Sequence, residues 1–305
     1  MSPLRLCLLS ALAVVLSAPA VAADRLPVVA SFSILGDMTA RVGGDRVAVT
    51  TLVGPDGDAH VYEPTPDDVR AVAAAKLLVV NGLGFEGWMD RLAGASGYAG
   101  PVVVASKGVA PREIVEEEHA DAEGHDHHGI DPHAWQDVAN AVTYVRNIAA
   151  GLDAADPAGK AVYDANAAAY VAELEALDAE VRAALATLPA ERRKIITSHD
   201  AFGYFGAAYG LRLSAPEGIS TEAEASAADV AALIRQIRAD AVPAIFVENI
   251  KDRRLIDQIA AETGAAVGGE LYTDALSDKD GPAPTYVEMI RHNVKTLAEA
   301  LAPKP

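Results

Sequence analysis

Cysteine is nearly absent. The 305-residue chain has one, Cys7, close to its N-terminus. A disulfide framework needs pairs and a thiolate metal cluster needs several, so both are excluded. Basic residues are also scarce: 25 Lys+Arg stand against 43 Asp+Glu, a formal charge of −18. So acidic a chain lacks the basic face that nucleic acid requires, and it attracts cations instead. The apolar run at residues 6–16 is too short to cross a bilayer, which takes about 20 residues. The H-E-x-x-H pattern of zinc proteases and the nucleophile elbow are both missing. An enzyme is therefore not expected.

The N-terminus reads as a secretory signal. Arg5 supplies the early positive charge, residues 6–16 are apolar, and residues 17–23 are mostly small. Cleavage is expected after Ala22 or Ala23, removing 1–23 and the only cysteine with it. Cys7 lies too early to carry a lipid at such a cleavage site. The expected product is a soluble periplasmic protein without a lipid anchor.

The rest of the chain is rich in apolar residues, at 51% overall, and long enough for two domains. Short β-branched runs at 27–32, 47–53, 76–82 and 101–105 read as strands, with a helix at 33–42 between the first two. Thr65-Pro66-Asp67-Asp68 is a helix start, with Thr65 as N-cap, Pro66 in the first position and Asp68 closing a capping box. Asp131-Pro132 reads as a second start with Asp131 as N-cap. Residues 157–188 carry one apolar stripe at spacings of three and four: Tyr163, Ala167, Tyr170, Leu174, Leu177, Val181, Leu185 and Leu188. Such a helix spans roughly 45 Å, the length of two domains. The second half repeats the alternation, with strands at 193–197, 243–248 and 265–268 and helices at 201–209, 227–239, 252–263 and 286–301. The expected fold is α/β, with two lobes, each a mostly parallel sheet flanked by helices. The divisions are 24–153 for the N-terminal lobe, 154–189 for one long linking helix, and 190–305 for the C-terminal lobe.

Three histidines stand where strand-like runs give way to helix-like ones. They are His60 in Gly57-Asp58-Ala59-His60, His133 in Asp131-Pro132-His133, and His199 in Thr197-Ser198-His199-Asp200. Asp274, in Tyr272-Thr273-Asp274-Ala275, has the same placement. A lone histidine is most often a surface or core residue. Four metal-binding side chains at such corners are more telling, because open α/β folds bind ligands at the carboxyl ends of their strands. Three imidazoles and a carboxylate make a competent zinc set, split two and two across a crevice. Glu63, Asp200 and Glu248 are the nearby acceptors that could orient the rings. From ordinary imidazole values, zinc affinity should fall below about pH 6.5. His292 has no corner placement and reads as structural or exposed.

Residues 116–129 break the periodicity with four histidines, several acids and two glycines. They read as a surface loop in which His119, His125, His127 and His128 recruit or sense metal weakly. A solvated acidic loop that binds nothing is the plainer account.

At this point the chain resembles a known family, the cluster A-I solute-binding proteins of zinc and manganese ABC importers. The likeness rests on His60-Val61-Tyr62-Glu63-Pro64-Thr65-Pro66-Asp67, Asn81-Gly82-Leu83-Gly84-Phe85-Glu86 and Asp131-Pro132-His133-Ala134-Trp135. It continues through Ser198-His199-Asp200-Ala201-Phe202-Gly203, Ile245-Phe246-Val247-Glu248 and Tyr272-Thr273-Asp274-Ala275-Leu276. The resemblance implies two α/β lobes on one backbone helix, with Zn2+ carried between them as the transported ligand. It also implies an inner-membrane ABC permease as partner. A periplasmic metallochaperone is a further candidate partner, and a monomer is expected. Manganese-type members resemble this chain but carry Glu at the position of His199, so His199 points to the zinc side. Manganese import is the runner-up reading, and a periplasmic zinc buffer the other alternative. Asp274 competes with water for the fourth place in the shell.

Overall fold

The computed structural model describes residues 25–114 and 129–303. The expected signal and the loop histidines His119, His125, His127 and His128 lie outside the described residues.

The first lobe runs β1 (Leu26–Phe32), α1 (Ser33–Gly43), β2 (Val47–Val53), α2 (Pro66–Ala74), β3 (Leu77–Val80), α3 (Met89–Ser96) and β4 (Val102–Val104). A small antiparallel pair, β5 (Arg112–Glu113) and β6 (Ile130–Asp131), precedes α4 (Val138–Ala155). Helix α5 (Lys160–Ala186) then leads to the second lobe. There β7 (Lys194–Ile196), α6 (Gly203–Tyr209), β8 (Arg212–Ser214), α7 (Ala227–Asp240) and β9 (Ala244–Glu248) come first. α8 (Arg254–Thr263), β10 (Ala266–Leu271) and α9 (Tyr286–Leu301) complete it.

Both larger sheets are parallel, in the orders β2-β1-β3-β4 and β8-β7-β9-β10. The two lobes therefore share one topology: the chain leaves the first strand to one side, then crosses back to the other. That reversal opens a crevice at the carboxyl ends of the strands. Within a strand, successive side chains face opposite ways. Ile195, Ala244 and Phe246 join the core shared with the long helix, while Ile196, Ile245 and Val247 pack with Leu233, Ile237, Ile256 and Ile259 of α7 and α8.

The stripe expected at 157–188 is buried: Tyr163, Tyr170, Leu174, Leu177, Val181 and Leu185 of α5 all face inward. The helix itself is shorter than expected, because Pro157–Gly159 forms a separate 3-10 turn. Its 27 residues make about 40 Å at 1.5 Å each. It packs on α1 and α4 of the first lobe and on α6 and α9 of the second.

The capping box at Thr65 and Asp68 forms as expected. Asp131 does not cap a helix. Its carboxylate turns to His133, a 3-10 turn follows at Ala134–Gln136, and Asp137 caps α4 instead, accepting from Ala139 N at 2.9 Å. Helix α3, strand β8 and the β5–β6 pair escape the sequence pattern because they are short and only partly apolar. Among the described residues, no helix is long and apolar enough to cross a membrane.

Leu174 is fully buried midway along α5, so Leu174→Ala is expected to destabilise the protein by about 2–5 kcal/mol. Glu175→Ala, next to it on the exposed side, should stay within about 0.5 kcal/mol. Urea unfolding midpoints of the two variants check this; equal effects would mean that the stripe is not the core.

Candidate metal centre

Each corner residue is fixed by its own neighbours before it meets the others. His60 lies in the loop from β2 to α2. Its backbone N–H donates to Asp58 Oδ1 at 3.0 Å, and Trp88 Nε1 holds Ala59 O at 2.7 Å. Tyr62, two residues on, stacks edge-on against Trp88 and donates to the capping Asp68 at 2.8 Å. The helix start thereby anchors the ligand loop.

His133 follows β6. Asp131 Oδ1 accepts from both its backbone N–H and its Nδ1, at 3.0 and 2.9 Å. His199 follows β7. Glu248, at the end of β9, accepts from Ser198 N at 2.7 Å and His199 N at 3.0 Å through Oε1, and from His199 Nδ1 through Oε2. In both rings Nδ1–H donates to a carboxylate, so Nε2 is the nitrogen turned to the site, and loss of its proton gives it a lone pair for a metal. Asp274 follows β10. The preceding carbonyl, Thr273 O, receives Trp135 Nε1 at 3.0 Å and Gln136 Nε2 at 2.9 Å from the other lobe.

Aromatic rings floor the site. Phe85 meets His60 edge-on at 4.8 Å and His133 at 5.9 Å, and Trp135 meets His133 at 5.3 Å. The loop bearing Phe85 is tied by Glu86, which accepts from Ser31 Oγ, Asn81 N and Gly82 N at 2.6, 2.6 and 3.2 Å. Gly82 has φ +85 there, a conformation in which a side chain would be strained and would run into Val104.

The structure brings His60, His133, His199 and Asp274 together, all buried, with donor atoms within 4.8 Å of one another. His60 Nε2 is 3.3 Å from His133 Nε2 and 3.2 Å from Asp274 Oδ2. Asp274 lies 3.2 Å from His199 Nε2 and 3.7 Å from His133 Nε2. Tetrahedral bonds of about 2.0–2.1 Å place donors about 3.3 Å apart, so these spacings suit a small divalent cation. His199 Nε2 and both Asp274 oxygens are buried without a hydrogen-bond partner. Buried polar atoms seldom remain so unless something else fills the place.

The site is electrostatically poised. Burial opposes a charge on His133, but Asp274 and Asp131 outweigh it and lift the imidazole to about 9. Burial opposes His199 too, and Glu248 and Asp274 raise it well above the usual imidazole range. Burial would raise Asp274, yet His133 and His199 hold it well below the usual carboxylate range. Two imidazolium protons thus balance two of the three carboxylates around the site. A divalent cation can exchange for those protons with no change in total charge.

Of the acceptors suggested by sequence, only Glu248 serves a ring. Glu63 is exposed, and the Asp200 carboxylate bonds to none of the imidazoles. The acceptor missed was Asp131, whose position before a proline and a helix imitates an N-cap. Asp58 was missed as well, since it holds His60 through the backbone. His292 stands apart: its Nε2 lies 3.1 Å from Glu270 O and its ring packs on Tyr272.

The sequence matches the family described as ZnuA, zinc-uptake complex component A, periplasmic, over residues 28–300. It is 34% identical over 279 residues to the manganese-binding lipoprotein MntA of Halalkalibacterium halodurans, covering 92% of this chain and 89% of that one. It is 34% identical over 293 residues to the iron-binding protein YfeA of Yersinia pestis, covering 96% and 91%. The periplasmic zinc-binding protein TroA of Treponema pallidum superposes with a TM-score of 0.83 at 32% identity, over 92% of this chain and all of that one. These comparisons overturn one expectation. MntA is named a lipoprotein, as are the similar PsaA of Streptococcus pneumoniae and MtsA of Streptococcus pyogenes, so the expectation of a protein without a lipid anchor is withdrawn. The early position of Cys7 was too slight a basis for it.

Metal binding is expected to release about two protons per ion at pH 7.5, because both raised imidazoles must give up a proton to ligate. Affinity should therefore begin to fall as pH drops below about 9 rather than only below the ordinary imidazole range. In the metal-free protein, the His133 pairing stabilises fully below about pH 6.5 and is lost as pH rises through about 9. Calorimetric titration with zinc in buffers of different ionisation enthalpy gives the proton count; a count of zero would refute this account.

Proposed function

This chain belongs to the periplasmic zinc-uptake component family, the non-enzymatic, metal-binding solute-binding components of ABC importers, and we propose that its cargo is zinc, held by His60, His133, His199 and Asp274. The observation that carries this reading is the convergence of three imidazole Nε2 atoms on one buried carboxylate, with His199 Nε2 and both Asp274 oxygens lacking any other partner. Two ligands come from each lobe, so the ion ties together the units drawn at 24–153 and 190–305, with 154–189 as the spine between them. A loaded protein then presents a closed shape to the permease and ATPase that such a component serves.

Zinc is favoured over manganese by donor softness. Three borderline nitrogens suit zinc, whereas manganese prefers oxygen and lies lowest in the affinity order of divalent first-row ions. The carboxylate of Asp274, and relatives named for manganese, support manganese as the second reading. Residues 116–128 we assign to recruitment, with His119, His125, His127 and His128 as weak, early contacts for the ion.

Competition titrations separate these readings. Wild type should bind one zinc ion tightly and prefer it to manganese by a wide margin. His199→Glu should narrow that margin by weakening zinc more than manganese. His199→Ala should weaken zinc strongly, while His292→Ala and removal of residues 116–129 should leave tight binding in place. A wild type that prefers manganese hands the assignment to the second reading.

A further inference from the structure

The segment between β8 and α7, residues 215–226, reaches both halves of the site. Its role depends on the proposed reading that His60 and His199 are ligands of the cargo. One end of the segment lies along the end of β7. Glu217 N donates to Ser198 O at 3.3 Å and Asp200 N to Gly218 O at 3.1 Å, and Glu217 pairs with His199 in an isolated parallel bridge. Glu217 is buried, and its carboxylate meets Lys251 Nζ at 2.8 Å. Farther along, Thr221 is only 6% exposed, and its hydroxyl donates to Asp58 Oδ2 at 2.6 Å. The other oxygen, Asp58 Oδ1, accepts the His60 backbone N–H at 3.0 Å. One carboxylate thus joins a loop of the second lobe to a ligand of the first.

We propose that Thr221 is a positioning residue that latches the 215–226 segment over the loaded site and, through Asp58, slows departure of the metal. Thr221 and Asp58 stand outside the set of four converging donors. The latch adds no donor and acts on the backbone that places His60. At its other end the same segment is bonded to the residues flanking His199. Movement of this segment away from Asp58 therefore loosens His60 while its tie to the His199 strand stays intact. A hydroxyl bonded to a carboxylate away from water is among the stronger neutral–charged hydrogen bonds. The bond supplies no donor and only holds in place the loop that carries His60, so its loss is expected to act on dissociation more than on capture.

The test measures zinc dissociation by stopped flow, chasing the loaded full-length protein with an excess of chromophoric chelator. Thr221→Val is expected to speed dissociation by about tenfold, the effect of losing one such bond. Association should change by less than about twofold, and stoichiometry should remain one. Thr221→Ser, which keeps the hydroxyl, should restore the slow rate. A merely structural threonine would show the opposite preference, since Val keeps its shape and Ser does not. Should Thr221→Val fail to fold, Thr221→Ala carries the same comparison. Dissociation at the wild-type rate in the hydroxyl-free variant, or a serine variant as fast as it, overturns the proposal. His60→Ala serves as the separate control. If it retains tight zinc, the ligand assignment fails, and that outcome is distinct from failure of the latch.

Discussion

The structure depends on burying one carboxylate that only imidazoles face. Asp274 is inaccessible to water, and its oxygens meet nothing but imidazole Nε2 atoms at 3.2–3.7 Å. An isolated buried charge costs several kcal/mol, so cationic partners must stand around it. Imidazoles supply them, but an imidazole turns freely unless its second nitrogen is held. Asp131 and Glu248 hold His133 and His199, and each adds a buried carboxylate of its own. The result is a knot of acids and imidazoles whose balance is completed by protons or by a divalent ion. No single residue of the knot is stable there alone, and its members arrive from strand ends of three sheets: His60 after β2, His133 after β6, and His199 and Asp274 after β7 and β10.

Bringing those strand ends face to face requires the lobes to be held in register by bonds that are not part of the knot. Trp135 and Gln136 of the first lobe converge on Thr273 O of the second, and Tyr286 OH returns to Trp135 O at 2.6 Å. Asp56 N donates to Leu276 O at 2.9 Å, and Asn249 Nδ2 to Asp56 Oδ1 at 2.9 Å. The α5 stripe lies beneath both lobes, so the hydrophobic core is continuous from one to the other. An apolar core of this extent sets the distance between His133 and Asp274 before any metal arrives.

Much of this was legible in the sequence, and the reasons differ by element. The α5 stripe was visible because a helix crossing two domains repeats its apolar spacing many times. The four corner residues were visible because side chains with metal chemistry stand out where apolar strands end. The two-lobe α/β architecture followed from the alternation of those runs. The orienting shell was much less visible. Glu248 lies 49 residues from His199 and reaches it only through adjacency of β7 and β9 in the sheet. Asp131 sits two residues before its histidine, yet Asp-Pro before a helix signals a cap, and only the 3-10 turn at Ala134–Gln136 frees it for another use. Short elements such as β8 and the β5–β6 pair lack the length for a period to show.

The same arrangement limits how the site can open. Wholesale separation of the lobes would break the Trp135, Gln136, Tyr286 and Asn249 bonds and expose part of a shared core. Each such bond exchanged for water costs about 0.5–1.5 kcal/mol net, and exposing shared apolar core adds to it, so the sum is above that of a local rearrangement. The 215–226 segment crosses to the first lobe through a side-chain bond at Thr221, and it has no element of regular structure of its own. His60, which it helps to place, is on a loop rather than on a strand, whereas His199 and Asp274 are each three residues from a sheet. On the proposed reading of the site, the less costly coordinate is therefore local, through the His60 loop and the 215–226 segment, with α5 and the Trp135–Thr273 junction holding His133, His199 and Asp274 in place.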